Sequence, residues 1–263
     1  MSKIQYDPNS ELAKYFVKTE VDGPYIRHDT DSVEYVINSE TGEIILRSRW
    51  KYAWLKDYNV KDDWTLTEKS LFISKVSMAI SDSWNGKIVY SVSGYSDFTK
   101  KFQGRQFPLR IEIIPVDHNE HWNVTVTKVN PDVDRTTFVQ SGTRFIQLDS
   151  NDVVAVERCT GQLQVDCRSQ VAVSHEFGHV IFNDDEYIQP HLPATFNSGY
   201  LHLNRSGNVQ FKDSDTVENL YGWDADGLMS VGTELRERYL RGVTVDLNII
   251  MPDTYFHITS VKH

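Results

Sequence analysis

The chain has 263 residues, of which 40% are hydrophobic and 12% aromatic, so it can bury the core of one large domain without needing a metal to fold. Its formal net charge of −10, with no basic run, disfavours nucleic acid and anionic lipid as partners. No apolar run reaches the roughly 18 residues that span a bilayer, and the first residues lack a signal-peptide pattern.

The N-terminal residues predict a hairpin. Residues 33–37 and 44–46 are rich in β-formers, and Asn-Ser-Glu-Thr-Gly joins them. We therefore predict a β-containing extension over residues 1–60 and a main domain over residues 61–263.

A long helix is predicted to follow the extension. Thr65 and Glu68 have the spacing of a capping box, in which each side chain bonds to the backbone N–H of the other. The helix should end at Asn85-Gly86. The apolar residues at helical spacing are Phe72, Val76, Ala79, Ile80 and Trp84.

Alternating apolar and polar residues predict strands over residues 107–113 and 122–127, and further strands are expected near 145–149 and 153–157. His118 and His121 lie in the turn that joins the first two of these strands. They could bind a metal, but without a third ligand in view a polar turn is the favoured interpretation.

Two cysteines, Cys159 and Cys167, precede the next predicted helix and are placed in a loop. A disulfide between them would close a short loop and contribute roughly 2–3 kcal/mol on a chain-entropy model. We favour the disulfide over two free thiols, and it would suit an oxidising compartment. Two thiols without partners at finger-like spacing do not predict a zinc finger.

Residues 175–179 read His-Glu-Phe-Gly-His, an HExxH motif. On a helix, His175 and His179 lie on one face and can present two imidazoles to a single Zn²⁺. Zinc with an open position activates water, and Glu176 would serve as the general base. The alternative is chance, with two ordinary polar histidines on a buried helix.

The surroundings of the motif favour a helix. Val173, Phe177, Val180 and Ile181 have helical spacing on a face away from the histidines. Gly178 costs about 1 kcal/mol relative to alanine inside a helix. Either the helix tolerates it, or a close approach beside the metal requires it.

Asp185 follows the first histidine by ten positions, the spacing of the third ligand in metzincin-type zinc peptidases. The string from His175 to Tyr187, HEFGHxxxxxDEY, resembles the metallopeptidase domains of bacterial polymorphic toxins and secreted effectors. This resemblance implies that His175, His179 and Asp185 bind Zn²⁺ and that Glu176 is catalytic. Competing ligands remain open, and they are Asp184, Glu186, His191 and Glu218.

A second segment supports the resemblance. Families of this kind have a buried methionine in a turn beneath the metal, the Met-turn, and Met229 is the matching residue. A C-terminal helix is expected over residues 233–241. Candidates for stabilising the oxyanion are Tyr187, Tyr221 and Tyr239.

Together these patterns predict an α+β, zincin-like fold with a twisted mixed β-sheet, a long N-terminal helix, an HExxH active-site helix, a Met-turn and a C-terminal helix, so residues 61–263 would be a zincin-like metallopeptidase domain. The predicted function is zinc-dependent hydrolysis of peptide bonds in a protein or peptide substrate. The resemblance implies a bacterial toxin or effector with a possible cognate immunity protein.

Such an effector would be secreted by a dedicated system and would act in the periplasm or in another cell; otherwise the protein would be cytoplasmic. Two alternatives to the predicted enzyme stay open. One is a gluzincin arrangement with Glu218 as third ligand, and the other is a non-catalytic, zinc-containing binding module.

Overall fold

A computed structural model describes residues 19–133, 135–160, 166–182, 226–229 and 231–262. Within these ranges the strands are β1 Thr19–Asp22, β2 Tyr25–Asp29, β3 Glu34–Asn38, β4 Ile44–Lys56, β5 Ile88–Gly94, β6 Phe107–Pro115, β7 Trp122–Lys128, β8 Phe138–Gln140, β9 Phe145–Asp149, β10 Ala155–Thr160, β11 Asp166–Val171 and β12 Thr254–Val261. The helices are α1 Leu66–Trp84, α2 Asp97–Phe102, α3 Ala172–Phe182 and α4 Arg241–Ile250, with 3₁₀ turns at Ser141–Thr143 and Glu237–Leu240.

A ten-stranded mixed sheet forms the centre of the fold. One path through it runs β1-β2-β3-β4-β6-β5-β12, and β7, β9 and β8 extend from β4. Strands β4, β6, β7 and β9 are mutually parallel where they pair, whereas β8 lies antiparallel on β9. Strands β10 and β11 form a separate antiparallel hairpin. The architecture is therefore α+β with a core that is mostly sheet.

Strand β4 organises this sheet. Its first half pairs with β3 in the register Ile37 to Ile44, which confirms the predicted hairpin. It also pairs with β6 from Ile44 to Trp50, and its second half pairs with β7. Ile44, Leu46 and Trp50 are fully buried. The domain boundary predicted at residue 60 stays a prediction. Strand β4 precedes that position, and it pairs with β6 and β7, which follow it.

Helix α1 begins as the capping box predicts. The Glu68 N–H donates to Thr65 Oγ1 at 3.2 Å, and the Thr65 N–H donates to Glu68 Oε2 at 2.7 Å. At the other end, Asn85 Oδ1 accepts from the Ile111 N–H at 2.6 Å and fastens the helix end to β6. Of the predicted apolar face, the fully buried members are Phe72, Val76, Ile80 and Trp84.

Helix α3 packs on α1 through its apolar side. Phe177 meets the Trp84 indole edge to face with ring centroids 5.7 Å apart. The Trp84 Nε1–H donates to the Ser174 carbonyl at 3.1 Å, and the Ser174 hydroxyl donates to the Ala79 carbonyl at 2.9 Å. Val173 and Val180 are fully buried, as their spacing predicts. Buried contacts thus fix how α3 is oriented against α1.

The C-terminal helix was placed too early by the sequence pattern. The helix expected over residues 233–241 is a 3₁₀ turn at Glu237–Leu240 followed by α4, and β12 then pairs with β5. Val243, Leu247 and Ile250 give α4 its buried side. No helix in the described part of the chain combines the length and apolar character that a membrane crossing requires.

Candidate metal and catalytic site

Two imidazoles lie one turn apart on α3. The Nε2 atoms of His175 and His179 face each other at 3.2 Å, with ring centroids 5.0 Å apart. Two histidine nitrogens bound at 2.0–2.1 Å to one tetrahedral zinc would be about 3.3 Å apart. The pair therefore matches the donor chemistry and the spacing that a zinc ion requires from two of its ligands.

A hydrogen bond at Nδ1 determines which nitrogen of His175 carries the proton. Nδ1 of His175 lies 2.9 Å from the carbonyl oxygen of Leu228. A carbonyl can only accept a hydrogen bond, so Nδ1 carries the proton and, in the neutral ring, Nε2 carries the lone pair. That tautomer puts the lone pair on Nε2, the atom through which a metal would bind, and the hydrogen bond fixes the direction of the ring.

Glu176 is a buried carboxyl group beside these histidines in the sequence, with 6% of its surface exposed. Burial, with a contribution from the charge of Asp152, raises the pKa of Glu176 to about 8, while Arg158 opposes the rise. A glutamate with a raised pKa takes up a proton at near-neutral pH more readily than an ordinary glutamate.

Asp152 connects the start of α3 to the neighbouring strands. Its carbonyl accepts from the Val173 N–H at 3.1 Å. Its carboxyl oxygen Oδ2 accepts from the Asp149 N–H at 2.6 Å and from the Thr137 hydroxyl at 2.7 Å. Burial and the charge of Asp149 raise the pKa of Asp152 to about 7. Sequence reasoning missed this residue because an isolated aspartate carries no motif.

Met229 packs directly against α3 at Gly178. A Cβ added to Gly178 would overlap Met229 Sδ, and it would lie 2.9 Å from Met229 Cε and 3.4 Å from Trp84 Cζ2. Met229 is 5% exposed. The close approach that could require a glycine in this helix is therefore present, and the group that approaches is a methionine side chain.

The segment that carries Met229 is attached to β11. Arg168 Nε and Asp226 Oδ1 are 2.7 Å apart. The Gln170 side-chain Nε2 donates to the carbonyls of Leu228 and Gly232 at 2.9 and 2.6 Å. No sequence pattern indicates Gln170, because its partners are backbone atoms 58 and 62 residues away.

The two cysteines lie on strands, which corrects their predicted placement in a loop. Cys159 and Cys167 are Cα partners in the β10–β11 hairpin. Strand β11 is mostly polar, so it lacks the alternation of apolar and polar residues from which a strand is predicted. Cys167 is disulfide-bonded, and Cys159 is the only other cysteine in the sequence. The preference for a disulfide over two free thiols is supported.

His121 has a structural role. It is 4% exposed, its Nδ1 accepts from the Arg49 N–H at 2.9 Å, and its Nε2 lies 2.8 Å from Asp29 Oδ1. Burial raises the pKa of Asp29, but hydrogen bonds and charge from His121 and Arg49 outweigh it and lower that pKa to about 2. His118 is exposed. The favoured non-metal interpretation of this turn is consistent with these contacts.

Several candidate residues lie outside the described residues. These are the third ligand Asp185, its competitors Asp184, Glu186, His191 and Glu218, and the tyrosines Tyr187 and Tyr221. Tyr239 is described and is 2% exposed. Among the residues that the structure does describe, no third histidine, cysteine or acidic side chain joins His175 and His179 in a metal-binding group.

Comparison of the chain with protein-family models, with curated proteins and with solved structures gives no match. The HExxH motif and the geometry around α3 are therefore the features that point to a function.

Proposed function

We propose that the protein is a zinc-dependent endopeptidase with a zincin-like fold. The observation that carries the proposal is the pair of Nε2 atoms at 3.2 Å on α3, next in sequence to the buried carboxyl group of Glu176. Met229 packed beneath the same helix adds support, because it matches the position of a Met-turn in the sequence pattern.

Each residue would have a distinct role. His175 and His179, with Asp185 as third ligand, would hold Zn²⁺. When bound, zinc supplies a Lewis acid that polarises a carbonyl and lowers the pKa of water toward ~7. Glu176 would accept a proton from water and donate it to the amine that leaves as the peptide bond breaks. The raised pKa of Glu176 fits this shuttle, because the group can hold the proton between the two transfers.

The substrate is proposed to bind as an extended peptide. Strand β8 packs near α3 and, among the described strands, pairs only with β9. An unpaired strand edge can add a peptide strand through backbone hydrogen bonds. Phe138 on β8 is 40% exposed and would contact such a peptide.

The biological setting is proposed from the sequence resemblance alone. A bacterial toxin or secreted effector would reach the periplasm or another cell through a dedicated system, and a cognate immunity protein would protect the producer. The disulfide at Cys167 is compatible with an oxidising destination. If this setting is correct, Glu176→Gln should relieve growth inhibition in a sensitive compartment.

The central test is Glu176→Gln. This variant should bind about one zinc per chain and be at least as stable as wild type. It should lose hydrolysis of a denatured-protein substrate set, because glutamine cannot take up a proton. Elemental analysis and mass spectrometry of cleavage products are the readouts. Glu157→Gln, an exposed change on β10, is the matched control and should stay active. Hydrolysis by the Glu176 variant at the wild-type rate would overturn the mechanism.

The two alternatives give different results. If the third ligand is Glu218, Glu218→Ala should weaken zinc binding while Asp185→Ala and Asp184→Ala should not. If the protein is a binding module, wild type should bind zinc without cleaving any protein. A wild-type chain that binds no zinc after reconstitution would refute all three interpretations.

A further inference from the structure

Gln170 occupies a central position behind the histidines. It lies on β11, two residues before α3 begins, and is 2% exposed. Its side-chain amide nitrogen donates to the Leu228 and Gly232 carbonyls. The Leu228 oxygen also accepts from Nδ1–H of His175. One carbonyl therefore receives hydrogen bonds from both Gln170 and His175.

We propose that Gln170 is a positioning residue for the zinc site and acts through the Leu228 carbonyl on His175. The inference rests on the proposed function, since it concerns the metal that His175 would bind. A ligating imidazole is oriented by the hydrogen bond at its other nitrogen, so the position of that acceptor affects where Nε2 points. Gln170 sets the position of the acceptor.

Other contacts on this segment are an exposed ion pair, apolar packing and backbone hydrogen bonds, among them the one from the Leu228 N–H to the Glu234 carbonyl at 2.7 Å. The Arg168–Asp226 ion pair is 41% and 55% exposed at its two side chains, and an exposed pair contributes little to holding a segment in place. Met229 fixes the segment against Gly178 by packing, which does not orient a carbonyl. The buried amide of Gln170 reaches two carbonyls four residues apart, and it thereby fixes the turn that presents Leu228 to His175.

Removing the Gln170 amide should let the Leu228 carbonyl, the acceptor for His175, change its position. In Gln170→Met the side chain keeps its length and apolar volume but has no donor, so the Leu228 and Gly232 carbonyls lose a shared partner inside the protein. His175 would then sample directions in which its Nε2 no longer faces that of His179. We expect zinc affinity to fall by about 10-fold, the lower end of the range for loss of a direct partner of a ligating histidine, because the Leu228 carbonyl itself remains.

The test measures zinc affinity by competition with a chromophoric chelator, on full-length wild type, Gln170→Met and Gln147→Met. Gln147 is the matched control, because its side-chain amide also donates to a backbone carbonyl, that of Leu148 at 3.1 Å, but on β9. The proposal predicts weakened binding for Gln170→Met and wild-type binding for Gln147→Met. Thermal melting of the metal-free proteins gives the accompanying loss of stability.

Each result has a defined meaning. Folded Gln170→Met with affinity within threefold of wild type overturns the proposal but leaves the proposed function intact. Wild type without zinc binding refutes the proposed function itself. If Gln170→Met does not fold, Gln170→Asn, which keeps an amide on a shorter side chain, replaces it. A folded Gln170→Asn variant with weakened zinc affinity supports the proposal, whereas affinity within threefold of wild type, or variants that stay unfolded with zinc present, overturn it.

Discussion

Gly178 is the position on α3 where a side chain has no room. Met229 and Trp84 close over it, and an added methyl group would overlap the Met229 sulfur. Met229 is buried, so its side chain cannot move without displacing its neighbours. The glycine thus lets a methionine pack directly beneath the helix that carries both histidines.

We predict that Gly178→Ala destabilises the protein. Overpacking costs about 1–3 kcal/mol, and the better helix propensity of alanine returns at most about 1 kcal/mol. The melting temperature should fall by a few degrees. Thermal denaturation checks this, with Gly142→Ala as control, because a Cβ at Gly142 meets no atom within 4 Å.

A second substitution separates this clash from other effects. If overlap with Met229 causes the loss, Gly178→Ala should cost less in a Met229→Ala background than in wild type, since the truncated side chain leaves space for the methyl group. A Gly178→Ala protein as stable as wild type would mean that the Met229 side chain finds another rotamer at no cost.

At the scale of elements, Asp152 joins the start of α3 to β9 and to the residue before β8. An ionised carboxylate is costly in this buried position, where Asp149 lies nearby, and the pKa of Asp152 rises to about 7. Because the folded-state pKa exceeds the value of about 3.9 in an unfolded chain, the folded protein holds the proton more tightly. The stabilisation that the protonated Asp152 gives the folded state is complete below the unfolded-state pKa, and it is lost as the pH rises through about 7.

We therefore predict that the metal-free protein loses stability between pH 5 and pH 8, and that Asp152→Asn removes part of this loss. Asparagine cannot ionise, yet its side-chain oxygen can still accept from Thr137 or Asp149. The free energy of unfolding of the variant, relative to that of wild type, should increase by about 1–3 kcal/mol from pH 5 to pH 8, as measured by chemical denaturation. Asp82→Asn, an exposed change on α1, should leave the pH dependence unaltered. Parallel profiles for Asp152→Asn and wild type would contradict the assignment.

The elements that the sequence predicted well are those whose signals are local. The capping box at Thr65 and the stop at Asn85 bracket α1, and alternation over residues 107–113 and 122–127 lies within β6 and β7. Each of these signals depends on residues close together in the chain. The helical placement of His175, Glu176 and His179 was predictable for the same reason.

The elements that were missed or misplaced depend on distant contacts. Helix α4 is rich in β-branched residues, which favour strands by propensity, and packing of Val243 and Leu247 overrides that preference. Around the site, Gln170 and Asp152 act through backbone atoms whose proximity only the fold creates. A glutamine or aspartate outside a motif cannot be distinguished from a surface residue by pattern.

For the whole molecule, the sheet connects the first strands to the candidate site. Strand β4 is the common parallel neighbour of β6 and β7, and β7 leads through β9 to β8 beside α3. Trp50 on β4 is fully buried, and its indole nitrogen donates to the hydroxyl of Ser48 at 2.8 Å. Removing β4 would therefore expose the backbone edges of two central strands and open the core.

We expect the fragment 61–263 not to fold by itself, whereas the fragment 30–263 should fold. The shorter fragment lacks β4, so β6 and β7 lose the hydrogen bonds of a shared partner together with the apolar surface of Ile44, Leu46 and Trp50. Among the described residues, the longer fragment loses strands β1 and β2, including Asp29 at the end of β2, and keeps β3 and β4. Circular dichroism and urea denaturation of both fragments distinguish these outcomes. A cooperative transition in the fragment 61–263 would instead establish residues 1–60 as the separate extension that the sequence predicts.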